Sequence, residues 1–173
     1  MLIVTIPERL RNKTVGQLRE LARADAREFL TQQERYDYPF DMVHLARDAG
    51  AEVMISQLGD DVFGMIEGHA DGATIYVDSD QPLNRRRFTL AHELGHMVSY
   101  KDEAGTPNYV DARSDAGSGT ASEIYANEFA GAVLMPETLM KQFIDDGMNN
   151  WDIARELKVS TAAVSYRRQL LGI

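Results

Sequence analysis

The residues best suited to chemistry are His92-Glu93-Leu94-Gly95-His96, an H-E-x-x-H pattern. On a helix, residues four apart lie one turn apart on one face, so both imidazoles can hold a single divalent ion. Glu93, about 100° round the helix, can reach a metal-activated water as general base. With four histidines in the chain, chance supplies the pattern about 0.006 times per chain of this length and composition. Leu90, Ala91, Leu94, Met97 and Val98 make one aliphatic stripe. His92 and His96 fall about 160° away from it. A pair of core histidines is therefore a poor explanation, and a surface pair is the better bland one.

A catalytic zinc takes three protein ligands and leaves one position open. The other histidines are His44, on a short helix without a paired ligand, and His69, near a turn. Both read as ordinary exposed histidines. No histidine follows His96, so the third ligand should be a carboxylate. Glu123 is the first choice, with Asn127 one turn later to accept a ring N–H from a ligating histidine. Thr120-Ala121-Ser122-Glu123 is equally a capping box, in which Glu123 merely reaches back to Thr120. Glu128 is the rival ligand, and Glu103 and Asp102 are weaker ones.

These side chains need elements to hold them. Helical spacing predicts helices over 14–33, 40–49 (ended by Gly50), 84–100 and 122–135, the last stopped by Pro136. Residues 51–58 read as a strand, and 63–69 and 73–78 as a hairpin turned at Asp71-Gly72. Residues 101–121, rich in Gly, Asp and Ser, read as a long loop that could cover a cleft. Three short helices follow, near 137–145, 150–157 and 160–171. This order fits an α+β fold: a domain with a short mixed sheet and a C-terminal helix-turn-helix-like part. The expected divisions are an N-terminal helical extension over 1–35, a metallopeptidase domain over 36–136 and a three-helix unit over 137–173.

The 173 residues carry 18 Lys and Arg against 27 Asp and Glu, a net charge of −9. Residues 1–35 and 151–173 are each +2, so the middle is −13. Such a chain is no general phosphate binder. With no cysteine, disulfides and thiolate metal sites are excluded. No apolar run reaches the roughly 18 residues of a membrane span. Met1 to Ile6 runs straight into Pro7-Glu8-Arg9, unlike a signal peptide. A cytoplasmic protein is the expectation.

The run Arg87-Phe88-Thr89-Leu90-Ala91-His92-Glu93-Leu94-Gly95-His96, then Glu123-Ile124-Tyr125-Ala126-Asn127-Glu128-Phe129-Ala130 and Leu134-Met135-Pro136, resembles the ImmA/IrrE family of metallo-endopeptidases over about residues 40–171. The resemblance implies a small gluzincin-type fold, His92, His96 and Glu123 as zinc ligands, and Glu93 as catalytic base. It implies cleavage of a helix-turn-helix transcriptional repressor, often encoded nearby, and so derepression of its genes. Gly131-Ala132-Val133 departs from the commoner alanine- and leucine-rich run, and residues 1–35 fall outside the match.

Other segments carry expectations of their own. A substrate peptide is expected to pair as an added strand beside Thr74 to Val77. Arg85, Arg86 and Arg87 oppose the helix dipole, and Asp78 and Asp80 are near in sequence to offset them. Tyr100, Tyr109, Tyr125 and Arg113 are the candidates to stabilise an oxyanion. The N-terminal helix is a candidate to dimerise or bind a partner. Ser160 should cap the last helix, and Arg167 and Arg168 give it thin equipment for DNA. Two readings compete with a repressor-cleaving zinc peptidase. One is a catalytically silent module that binds a repressor or DNA through the C-terminal helices. The other is a hydrolase acting on unrelated amides. Two imidazoles and one carboxylate also suit Mn²⁺.

Overall fold

The structure, a computed structural model, describes residues 6–32, 38–103, 109–112 and 120–173. After a single 3-10 turn at Glu8–Leu10 come α1 (Val15–Thr31), α2 (Met42–Asp48), β1 (Ala51–Ser56), β2 (Val62–His69), β3 (Gly72–Asp78) and α3 (Leu83–Ser99). Then follow β4 (Tyr109–Ala112), α4 (Ala121–Leu134), α5 (Glu137–Asp145), α6 (Asn150–Leu157) and α7 (Thr161–Leu171). The result is the expected α+β fold. Among the described residues no helix is long and apolar enough to cross a membrane.

Local chemistry accounts for the helix starts. Thr14 caps α1 and exchanges bonds with Gln17, a full capping box. Asn149 and Asp152 repeat that arrangement at α6, and Ser160 accepts from the Ala163 N–H at α7. Each such cap is worth about 1 kcal/mol.

The sheet order is β1-β3-β2-β4, with β1 parallel to β3 and the other pairs antiparallel. β3 is therefore an interior strand: Ile75 pairs with Val53 on one side and Ile66 on the other. Its backbone is committed on both flanks, so the expected addition of a substrate beside Thr74 to Val77 is overturned. The strand on the far side of β2 is β4, within the segment expected to be a loop. Tyr-Val-Asp-Ala is too short to show alternation, which is why its pattern was silent. Residues 104–108 and 113–119 of that segment, Arg113 among them, lie outside the described residues.

The core forms where α3 packs on the sheet and on α4, and α1 packs on α4. Leu90, Ala91 and Leu94 of α3 meet Tyr125, Phe129 and Val133 of α4, all buried. Phe29 of α1 makes an edge-on contact with Phe129, ring centroids 5.7 Å apart. Side chains of this size are worth about 1.5–3 kcal/mol each on burial. The N-terminal helix thus spends its apolar face inside the protein rather than keeping it for a partner. Buried Asp25 of α1 accepts from Arg9, Lys101 and the Tyr125 hydroxyl. Burial pushes its carboxyl up, but these three donors outweigh that and hold it below the usual carboxylate range.

Glu128, the rival ligand, faces away from the histidines into a second polar cluster. It accepts from Arg23 of α1 and Arg167 of α7, both partners of its Oε1. Arg167 is buried and also donates to the Met135 carbonyl. Arg168 bonds Asn150 Oδ1 and the Ile173 carbonyl. An arginine placed as Arg167 is does not reach a DNA phosphate, so that part of the DNA-binding expectation fails on geometry.

Candidate metal centre

α3 runs buried through the middle of the molecule, and the reason α4 can cross it so closely is Gly95. A Cβ at that position would stand 2.9 Å from the Ala126 Cα and 3.1 Å from its carbonyl oxygen. The glycine inside the H-E-x-x-H pattern therefore lets two helix backbones touch. That contact brings Glu123, one turn before Ala126 and Asn127, over the two histidines.

The three side chains converge. His92 Nε2 and His96 Nε2 are 3.0 Å apart. Glu123 Oε1 is 3.1 Å from His96 Nε2, and its Oε2 is 3.5 Å from His92 Nε2. All three residues are buried. Tetrahedral zinc with ligands at 2.0–2.1 Å needs ligand atoms about 3.3–3.4 Å apart. The observed 3.0–3.5 Å separations match, and the donor set of two imidazoles and one carboxylate suits a divalent ion. Among the described residues this is the one His/Asp/Glu group of that kind.

The protonation states agree. His92 Nδ1 lies 3.0 Å from Asn127 Oδ1, so Nδ1–H donates there and Nε2 keeps its lone pair for an ion. Burial, reinforced by repulsion from His96, pushes the His92 imidazolium down to about 3, against the opposing pull of Glu123 and Asn127. A neutral imidazole is the form a metal requires.

Thr120 does cap α4, accepting from the Glu123 N–H at 3.3 Å. The Glu123 carboxylate turns to the histidines, which settles where that side chain points. Glu103 accepts from the Glu8 N–H, and Asp102 pairs with Arg9 at 3.3 Å. His44 pairs with Asp48 and His69 with Thr74, both remote from the cluster. Tyr125, fully buried and bonded to Asp25, is not placed to meet an oxyanion. The three arginines at the start of α3 are each engaged. Arg85 stacks on Phe63 at 4.7 Å, Arg86 donates to the Gln81 carbonyl and Arg87 to the Phe40 carbonyl.

A cavity of about 570 Å³ opens beside the cluster, with His92, Glu123 and Asn127 in its wall. Phe63, Phe88, Leu134 and Val159 make it largely apolar. A larger groove of about 1130 Å³ lies at the other end of α3, near Lys101 and His69. It contains none of the three converging residues, so size alone does not mark the site. The contribution of Gln81 was missed in the sequence. Its Nε2 donates to the Phe63 carbonyl at 2.8 Å, and its Oε1 accepts from Thr89 at 2.9 Å. Nothing in a lone Gln before Pro82 announces that bridge.

The model of the IrrE N-terminal-like domain matches residues 46–168. The chain belongs to the ImmA/IrrE family. This ImmA/IrrE chain is 30% identical, over 118 residues, to the radiation response metalloprotease IrrE of Deinococcus radiodurans. That match covers 62% of the chain and 36% of the relative, so the chain spans only about a third of that protein's length. In fold it is similar to a Mycobacterium tuberculosis transcriptional regulator, with a TM-score of 0.59 and 20% identity. That likeness covers 94% of this chain and 52% of the other. The family is one of metallopeptidases, and its members act on proteins. The buried His92, His96 and Glu123 form a group that could hold a metal ion, as a metallopeptidase family requires.

Proposed function

We propose that the chain is a cytoplasmic zinc-dependent endopeptidase whose protein substrate is a helix-turn-helix repressor, cleaved to release the genes it silences. The observation that carries the reading is the convergence of His92, His96 and Glu123 with Asn127 behind them. His92, His96 and Glu123 are the ligands in this reading, and Mn²⁺ is the alternative ion. A bound divalent ion would supply Lewis acidity and lower the pKa of the attacking water.

The chain's own residues do the rest. Glu93 takes the proton of the attacking water and hands it to the leaving amine. Asn127 fixes the His92 ring so that Nε2 stays a ligand. Phe63, Phe88, Leu134 and Val159 receive the side chain beside the scissile bond, and their apolar walls keep bulk water away. The substrate backbone adds to the outer edge of β4, whose Asp111 pairs with Gly64 of β2. Residues 36–136 hold the catalytic parts, 137–173 contribute Val159 to the cavity wall, and α1, within 1–35, braces α4.

Elemental analysis of purified protein tests the centre. The expected result is near one zinc per chain, lost in His92→Ala. Glu93→Gln should keep the zinc and the melting temperature while losing cleavage of a co-expressed repressor. Normal cleavage by Glu93→Gln would sink the assignment.

A further inference from the structure

Glu93 and β2 meet at a residue that has no side chain. An added Cβ on Gly64 would stand 2.6 Å from Glu93 Oε1 and 3.2 Å from its Cγ. It would also stand 2.7 Å from Thr89 Cγ2, one helical turn earlier. Contacts below 3 Å are not tolerated, so something must give, and of these atoms Glu93 Oε1 is the one at the far end of a long side chain. The backbone of β2 cannot retreat easily. Gly64 pairs with Val77 on one flank and Asp111 on the other. Its neighbour Phe63 is tied through Gln81 to Thr89 on α3. Strand and helix are thus clamped at a fixed separation, and Glu93, wholly buried, fills the slot the missing side chain leaves.

The register supplies an independent sign. The β2–β4 pairing slips between Val62 and Gly64, which marks a bulge-type irregularity, a feature that re-aims local side chains. It falls at the point where β2 meets Glu93. Glycine in a strand interior ordinarily weakens the strand, and close approach of another group is a standard reason to keep it.

From these contacts we infer that Gly64 is a positioning residue for Glu93: its bare Cα sets how far the carboxylate stands from the reacting water. The inference rests on the reading of Glu93 as general base. It goes further by assigning β2 a part in setting the base. A side chain at position 64 leaves the fold standing and turns the carboxylate aside. A misplacement of about 1 Å is enough to lower turnover about 100-fold.

The test is a double-mutant cycle in the full chain, with Thr89→Ser in every variant to remove the second clash while keeping the hydroxyl bond to Gln81. Two readouts are taken on zinc-loaded protein: melting temperature and hydrolysis of the repressor that the parent cleaves on co-expression. In the melting cycle, Gly64→Ala should lower the transition by several degrees with Glu93 present, and by much less in Glu93→Ala. Equal shifts in both backgrounds would overturn the contact. In the activity cycle, Gly64→Ala should lower kcat about 100-fold with KM and zinc content little changed. In a Glu93→Asp background it should cost less than about threefold, because the shortened acid is already out of place. Equal losses in both backgrounds, or full activity in Gly64→Ala, would overturn the positioning role. A parent that holds zinc but cleaves nothing overturns the peptidase reading and the positioning role with it. The melting cycle still shows in that case whether Gly64 and Glu93 touch.

Discussion

Arg167 of the last helix and Glu128 of α4 form an ion pair inside the protein, with side chains 3% and 2% exposed. Glu128 also holds Arg23 of α1 at 2.6 Å, so one carboxylate ties three helices together. Its helix is the one that carries Glu123. Removing one partner of such a pair leaves a buried charge uncompensated, which costs about 3–5 kcal/mol. Urea unfolding of Glu128→Ala, which leaves buried Arg167 without its carboxylate, should show a loss of that size, and Arg167→Ala a smaller one because Arg23 still pairs with Glu128. Arg168→Ala, whose partners are partly exposed, should lose far less.

Gly95 and Gly131 make a matched pair of helical glycines with opposite expectations. At Gly95 a methyl group meets the Ala126 backbone, which has nowhere to go. Gly95→Ala should destabilise by about 1–3 kcal/mol and weaken metal binding by forcing α3 and α4 apart. At Gly131 the methyl meets only the Arg167 side chain at 3.9 Å, an ordinary contact. Gly131→Ala should stabilise by about 0.5–1 kcal/mol through helix propensity. Thermal melting and a zinc titration of the two variants check both.

The buried imidazole sets a pH dependence in the metal-free chain. His92 titrates near 3 when folded and near 6.5 when unfolded. Between those values the unfolded chain binds a proton that the folded chain refuses, so stability rises with pH across the window and falls on acidification. After chelation, wild-type protein should lose more stability between pH 7 and 4.5 than His92→Gln does. A parallel decline in the two would contradict the assignment.

Asn127 accepts from the His92 ring. Asn127→Leu, close in volume but without an acceptor, should lower zinc affinity about 10–100-fold with the fold intact. Asn127→Asp should retain most of the affinity, since a carboxylate also accepts from Nδ1–H. Competition with a chelator of known strength measures both.

The helices and the first three strands were legible because their signals are local. Thr14, Thr120, Asn149 and Ser160 sit where caps belong, and Asp71-Gly72 turns the hairpin. His92, Glu93 and His96 share one helix, so spacing alone placed them. Glu123 was harder, since a cap and a ligand look the same in sequence and only the α3–α4 crossing separates them. β3 read as an available edge because strand order is non-local: nothing in Thr74 to Val77 says that β1 will return to its flank. Arg167 and Arg168 looked like surface cations until α7 met Glu128. Gly64 gave no sign at all, because its role is defined by Glu93 across 29 positions of chain.

The three converging side chains lie on both sides of a long connection: His92 and His96 before it, Glu123 after it. On the ribosome, the first two emerge well before the third, and the Glu128 carboxylate on the same helix as Glu123 gains its second close arginine only when residue 167 follows. The order of synthesis therefore delays the centre. A nascent chain stalled short of α4 carries His92, His96 and Glu93 without Glu123, and so with the converging group incomplete.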